Sequence, residues 1–226
     1  MNLTINDVVY RGRGRARSEG FVVFVPGVLP GEEGEVEITD RRKNFAFARL
    51  VAILRPSAAR IEPVCPLAFR PTTDPAAWTA RCPGCAYQHV AYAEEIRLKQ
   101  AQLTVMLKHS LPDCREVPAL PVPAPAELAY RNKIVLHAAQ NDTQWTLGYF
   151  AEDNATVIDV AACPLARRPI NEKLASLRSD PDFVRSLGDR GSVTLRHTET
   201  AWYDCARRTS KMSALAGSSR LGGSAM

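Results

Sequence analysis

The sequence predicts an α+β protein: a small N-terminal β-barrel, then an antiparallel-sheet α+β central domain carrying a four-cysteine cluster site. Three observations carry that expectation. Short runs of strand-forming residues, broken by Pro-Gly turns at intervals of about eight to twelve residues, fill the first sixty positions, which is the pattern of a small barrel. One helical period follows over 92–110. Three further strand segments then lead to Cys163, the last of four cysteines spaced C-x16-C-x2-C-x77-C. The expected domains are 1–60 for the barrel, 61–200 for the cluster-binding central domain and 201–226 for a disordered or out-of-frame tail.

In the barrel, Arg11, Arg13, Arg15 and Arg17 alternate with Gly12, Gly14 and Ala16. An extended strand has a period of two, so all four arginines are expected on one face, with the small residues on the other letting a second backbone come close. Guanidinium groups match phosphate oxygens in geometry as well as in charge. The bland alternative is a solvated strand edge, since edge charges also block aggregation. Phe21–Val25 is the next strand, ended by Pro26-Gly27, and Pro30-Gly31-Glu32 makes a second turn. Glu35–Thr39 alternates polar and apolar residues and is expected to bury Val36 and Ile38. Arg41, Arg42 and Lys43 form a basic turn before a strand over Phe45–Ile53.

Over 92–110, Tyr92, Ile96, Leu103, Met106 and Leu107 fall near one face at helical spacing, and Glu95 precedes Lys99 by one turn. That apolar stripe is expected to pack against a core or another domain. Glu116–Glu127 contains four prolines and reads as a loop. Ile134–Ala138, Thr146–Phe150 and Thr156–Val160 read as strands joined by turns at 140–143 and 152–154. The last of them is expected to deliver Cys163 to the site.

The cysteines are the chemical signal. Cys82 and Cys85, separated by Pro83-Gly84, can turn both sulfurs toward one ion, and Cys65 and Cys163 complete a four-sulfur shell. Four thiolates suit zinc and an iron–sulfur cluster alike. Sixteen residues separate Cys65 from Cys82, a loop whose length adds little to the cost of closure. Cys114 and Cys205 lie outside the pattern. None of His89, His109, His137 and His197 has ligand spacing to another, and His89 reads as an ordinary surface histidine.

The chain has 226 residues, 46% hydrophobic and 23% charged, with a net charge of +5, which fits a polyanionic partner. No apolar run reaches the roughly 18 residues of a membrane span and no secretory leader is evident, so no membrane partner and a cytoplasmic location are expected. In that compartment grouped cysteines favour a metal or redox centre over a structural disulfide.

Gly12-x-Gly14, Val22-Val23-Phe24-Val25-Pro26-Gly27, Leu29-Pro30-Gly31-Glu32 and Arg60-x-x-Pro63-x-Cys65 together resemble a TRAM domain leading into the iron–sulfur region of the RNA uracil-5 methyltransferases. Cys82-x-x-Cys85-x-x-Gln88 resembles that family's C-G-G-C-x-x-Q, with Pro83 in place of the first glycine, and the residues from Pro66 to Arg81, where the family has fewer, read as a surface insertion. Tyr92, Lys99 and Leu103 follow at the spacing of its Y-x-x-Q-x-x-x-K-x-x-x-L helix, with Glu95 where Gln is usual. Tyr130-Arg131-Asn132-Lys133, Leu147-Gly148-Tyr149 and Cys163-Pro164-Leu165 complete the series, in family order. The resemblance implies an OB-like RNA-binding barrel and a 4Fe-4S cluster, with zinc as the alternative, on Cys65, Cys82, Cys85 and Cys163. It also implies that Arg131 and Lys133 face RNA, above all ribosomal RNA. A radical mechanism is not expected, because the close C-x3-C-x2-C set that leaves one iron open is absent.

Family members place their S-adenosylmethionine pocket, cysteine nucleophile and carboxylate base in a C-terminal domain. After Arg196 this sequence has no strand that ends in a G-x-G turn and opens a helix. Cys205 lacks the family's surrounding motif, so no catalytic residue and no S-adenosylmethionine site are expected on this chain. Thr209–Met226 is rich in Ser, Gly and Ala and reads as disordered. The expectation is a reading frame lost, or a gene truncated, between about residue 196 and residue 210. A methyltransferase domain would then come from another frame or another chain. The competing expectation is a stand-alone RNA-binding protein with a zinc or iron–sulfur site and no enzymatic activity.

Overall fold

The computed structural model describes residues 1–18, 20–111, 123–141, 144–198 and 202–207. The chain divides after Pro125 into two compact units. Five strands make the core of the first: β1 (Asn2–Val9), β2 (Arg13–Ser18), β3 (Phe21–Pro26), β4 (Glu33–Arg41) and β5 (Phe45–Arg55). They close into a barrel in the order β1-β2-β3-β5-β4, with β3 and β5 parallel and the other pairs antiparallel. Alternation along each strand builds the interior from Leu3, Ile5, Ala16, Val23, Val25, Val36, Ala48 and Leu50, joined by Val28 from the turn after β3. Val36 is buried as expected, and Ile38 is half-buried against this core. Gly14 faces inward because nothing larger fits: a Cβ there would lie 2.1 Å from Val28 Cγ2.

Closure leaves the turn after Leu29 holding a buried charge. Glu32 is fully buried and accepts hydrogen bonds from the Leu29 and Ser57 amides (2.8 and 3.0 Å) and from Arg60 Nε and Nη2 (both 2.6 Å). Arg60 Nη2 also donates to the Gly27 carbonyl at 2.8 Å, tying the segment after β5 to the turn after β3.

The first unit extends well beyond the expected boundary at residue 60. The segment between Cys65 and Cys82, expected as a surface insertion, is fastened to the barrel. Thr72 N donates to Leu50 O, and the buried Arg49 donates to the Thr72 and Thr73 carbonyls. Helix α1 (Pro75–Thr79), capped by Asp74, packs Trp78 against the barrel core and against Phe69, with ring centroids 5.5 Å apart.

Helix α2 (Tyr92–Ser110) has the expected bounds and the expected Glu95–Lys99 ion pair. Its seated face differs from expectation. Leu98 is its buried residue, packed with Val8, Leu29 and Val90, and Gln102 Nε2 donates to Val8 O at 3.0 Å. Leu103 and Met106 are 49% and 46% exposed. Positions 98 and 102 are one turn apart on the side away from Ile96, Leu103 and Leu107. Two specific contacts, one polar, set the helix rotation against the hydrophobic stripe.

The second unit is a five-stranded antiparallel sheet in the order β10-β9-β6-β7-β8: β6 (Lys133–Asn141), β7 (Gln144–Phe150), β8 (Val157–Asp159), β9 (Ser192–His197) and β10 (Trp202–Arg207). The three expected strands are β6, β7 and β8. Helices α3 (Arg168–Arg178) and α4 (Pro181–Leu187) supply Ile170, Leu174, Val184 and Leu187 to a core with Ile134, Leu136, Leu147, Val193 and Leu195. Arg178 forms a two-point ion pair with Asp159, Nη2 to Oδ2 at 2.8 Å, joining α3 to β8.

Residues 202–207, expected as the start of a tail, form the edge strand β10. The tail over Thr209–Met226, the turn at 142–143, Cys114 and residues 116–122 of the expected loop lie outside the described residues. Among the described residues, no helix is long and apolar enough to cross a membrane.

Candidate nucleic-acid interface and cysteine site

Arg13, Arg15 and Arg17 lie on β2 at alternate positions and project from the outer barrel face, opposite the buried Gly14 and Ala16. Arg11 is not part of that row. Its φ of 72° and that of Gly12, 76°, place both in the turn before β2, so the strand period begins at Arg13. Arg15 makes a two-point ion pair with Asp7 of β1, with Nε–Oδ1 at 3.0 Å. That hydrogen bond raises the Arg15 pKa above its ordinary value, against the opposing effect of burial. The Arg13 guanidinium lies over the Phe47 ring, 4.9 Å from its centroid. Arg17 is exposed.

The register brings aromatic residues to the same face, which reasoning from sequence missed. Asp7 pairs with Arg15, Arg15 with Phe24, Phe24 with Phe47, and Phe47 with Asp40, a continuous row across the five strands. Phe45 stands beside it. The centroids of Phe24, Phe45 and Phe47 are 5.5 to 6.0 Å apart. A sequence signal existed in Phe45-x-Phe47, two bulky residues at strand period on the face opposite Ala46 and Ala48.

In the second unit Lys133 opens β6 and pairs in register with Arg196 of β9, both exposed. Like charges placed directly opposite disfavour a sheet unless a polyanion meets them. Arg131 precedes the strand: its amide donates to Leu165 O at 2.7 Å and its carbonyl accepts from Arg167 N at 2.9 Å. Its backbone thereby flanks the segment that carries Cys163.

Cys65, Cys82 and Cys85 belong to the first unit and Cys163 to the second. Among the described residues, no group of three or more His, Cys, Asp or Glu side chains is gathered as a formed metal site. Cys65 and Cys163 are buried, and Cys82 and Cys85 half-buried. The backbone holds each segment firmly. Cys65 N donates to Gln88 Oε1 (3.0 Å), Cys65 O accepts from Arg70 Nη1 (2.8 Å), and Cys82 N donates to Leu67 O (3.0 Å). Asn171 brackets Cys163, accepting from its amide at 2.9 Å and donating to its carbonyl at 3.0 Å.

Two unpartnered buried donors accompany the cysteines of the first unit. Gln88 Nε2 and Arg81 Nη1 are buried without a hydrogen-bond partner, one on the residue bonded to Cys65 and the other on the residue before Cys82. Arg81 is 6% exposed, with its guanidinium over Trp78 at 4.2 Å. Burial first, and repulsion from Arg70 second, bring its pKa down to about 10. Buried donors and a buried cation of this kind are satisfied by an anionic centre.

His89 is buried, 3% exposed, with Nε2 3.4 Å from Val28 O. Burial, followed by repulsion from Arg60, lowers its pKa to about 4. The expectation of a surface histidine is therefore corrected: it is a neutral residue of the packing beneath the cysteine segment.

A closed five-stranded barrel in this strand order is of the OB type, and its outer face is basic and aromatic. Residues 1–51 match the family model of the TRAM domain. The chain is 31% identical over 203 residues to the 23S rRNA (uracil(1939)-C(5))-methyltransferase RlmD of Pectobacterium atrosepticum, covering 88% of this chain and 42% of that protein. It is 33% identical over 180 residues to an uncharacterized RNA methyltransferase of Bdellovibrio bacteriovorus, covering 79% of this chain and 42% of that one. The chain thus spans about two fifths of the length of these relatives. In fold it is similar to the Pyrococcus abyssi tRNA (uracil-54, C5)-methyltransferase solved with S-adenosyl-L-homocysteine. The TM-score is 0.59 at 20% identity, covering 91% of this chain and 45% of that one.

Proposed function

We propose that this chain is the RNA-recognising part of an S-adenosylmethionine-dependent RNA uracil-5 methyltransferase that acts on ribosomal RNA in the cytoplasm. The observation that carries the reading is the TRAM-matching barrel, whose outer face presents Arg13 and Arg17 beside three phenylalanines. Arg11 reaches RNA from the turn before β2, Arg15 contributes through its pair with Asp7, and Arg131 and Lys133 contribute from the second unit. Cys65, Cys82, Cys85 and Cys163 hold a 4Fe-4S cluster, which shapes the segments that carry them and takes no part in radical chemistry. The two orphaned donors, on Arg81 and Gln88, favour an anionic centre there.

On this reading methyl transfer rests on residues outside this chain, and the purified chain alone is expected to form no 5-methyluridine. Anaerobic purification followed by iron, sulfide and zinc analysis tests the cluster. About four irons and four sulfides per chain, lost in Cys82→Ser, are expected. One zinc per chain would favour the non-catalytic RNA-binding reading, and 5-methyluridine made by the purified chain would overturn the assignment of methyl transfer elsewhere.

A further inference from the structure

On the outer face of a barrel that buries its other face, side chains are ordinarily polar. Here β3 and β5 place Phe24, Phe45 and Phe47 on that face, half-buried against one another and separate from the barrel core, which Val23, Val25, Ala48 and Leu50 complete. The interplanar angles are 70°, 36° and 79°, so the rings form a tilted array unlike a flat stack closed on itself. Arg13 lies over Phe47, adding a second flat, cationic surface.

The carboxylates bounding the array, Asp7 and Asp40, are paired with Arg15 and Arg42, so neither presents an uncompensated negative charge to an approaching phosphate. Arg17, exposed two residues beyond Arg15, borders the same row.

We propose that Phe24, Phe45 and Phe47, with the guanidinium of Arg13, form a stacking platform for unpaired bases of single-stranded RNA. Every base has a π-face, so aromatic rings take bases with little sequence preference, and that face is available only where the strand is unpaired. Arg17 at the border then meets the backbone that follows the stacked bases. This inference rests on the reading of the barrel as an RNA-binding module and is independent of the metal and of methyl transfer.

The test uses the full chain, a fluorescently labelled oligouridine of about twelve nucleotides, within the span of an OB-type site, and a duplex RNA of equal length. Phe24→Leu and Phe47→Leu keep the apolar bulk and remove the ring, and thermal melts establish that each is folded. The wild type is expected to bind the single strand at least about tenfold more tightly than the duplex, and each variant to lose about fivefold or more of single-strand affinity. A 2-aminopurine placed in the strand supplies a readout that needs no variant, since its fluorescence falls when it stacks.

Equal affinity for duplex, unchanged affinity in both folded leucine variants, or unchanged 2-aminopurine emission at saturation would each overturn the platform while leaving the RNA-binding barrel standing. Failure of the wild type to bind either RNA would overturn both.

Discussion

Glu32 shows how much one turn residue can carry. Burial pushes its carboxyl up, but the two Arg60 bonds and the Ser57 and Leu29 amides more than offset this and hold its pKa below the ordinary value. Removing the charge strands Arg60, which is also largely buried. Glu32→Gln is expected to cost about 3 kcal/mol of stability, read from urea unfolding. His89 adds a second pH-sensitive contribution of the same sign. Its pKa falls from 6.5 to about 4 on folding, so the unfolded chain binds the proton more readily. The associated stability is complete above about pH 6.5 and is lost as the pH falls toward 4; Glu32 extends the loss below 4.5. The unfolding free energy from urea titrations between pH 7 and pH 4 should fall steadily, by up to about 3 kcal/mol from His89 alone. A His89 resonance that titrates near 6.5 in the folded protein would contradict this.

At the scale of elements, the lesson concerns orientation more than existence. The bounds of α2 follow from composition and period, but its rotation is set by Leu98 in an apolar notch and Gln102 on the Val8 carbonyl. Neither contact can be seen without the barrel. Leu98→Ala is expected to cost about 2 kcal/mol in chemical unfolding, and Leu103→Ala within about 0.5 kcal/mol. Strands β2 to β5, unlike β1, which was not singled out, were legible because turns and alternation punctuate them. Their pairing was not, since a parallel contact between β3 and β5 depends on closure of the whole barrel. Val22-Val23-Phe24-Val25 is apolar throughout, and periodicity cannot assign faces in such a run. The aromatic array became visible only through register. In the second unit, the Asp180-Pro181 start of α4 carries an ordinary N-cap signal, with Asp180 accepting from Phe183 N at 2.9 Å, and sequence reasoning passed over it.

For the whole molecule, the net charge of +5 matters less than where cations remain unneutralised. Of the expected arginine row, Arg15 is committed to Asp7, whereas Arg17 stands exposed. Affinity for single-stranded RNA should therefore fall with salt, and each phosphate contact removed should flatten the log–log slope by about 0.7. Arg17→Gln is expected to flatten it by that amount. Arg15→Gln, by contrast, should act largely through loss of the Asp7 pair, which thermal melting would detect. The division of the chain after Pro125 was not legible from composition. The cysteine segment looks like the start of a new domain, yet Thr72 and Trp78 fasten it to the barrel, as Gln102 does the following α2.

The turn between β1 and β2 leaves room for nothing beyond hydrogen at Gly12: a Cβ there would lie 2.7 Å from Ala86 Cβ, immediately after Cys85. The end of the arginine strand and the end of the cysteine loop are thus moulded on each other. A ligand that resets one edge of this contact changes the work of occupying the other, and such an influence is mutual by thermodynamic necessity. Where the barrel binds RNA and the cysteines hold a metal, as proposed, RNA affinity measured before and after metal removal would read this coupling.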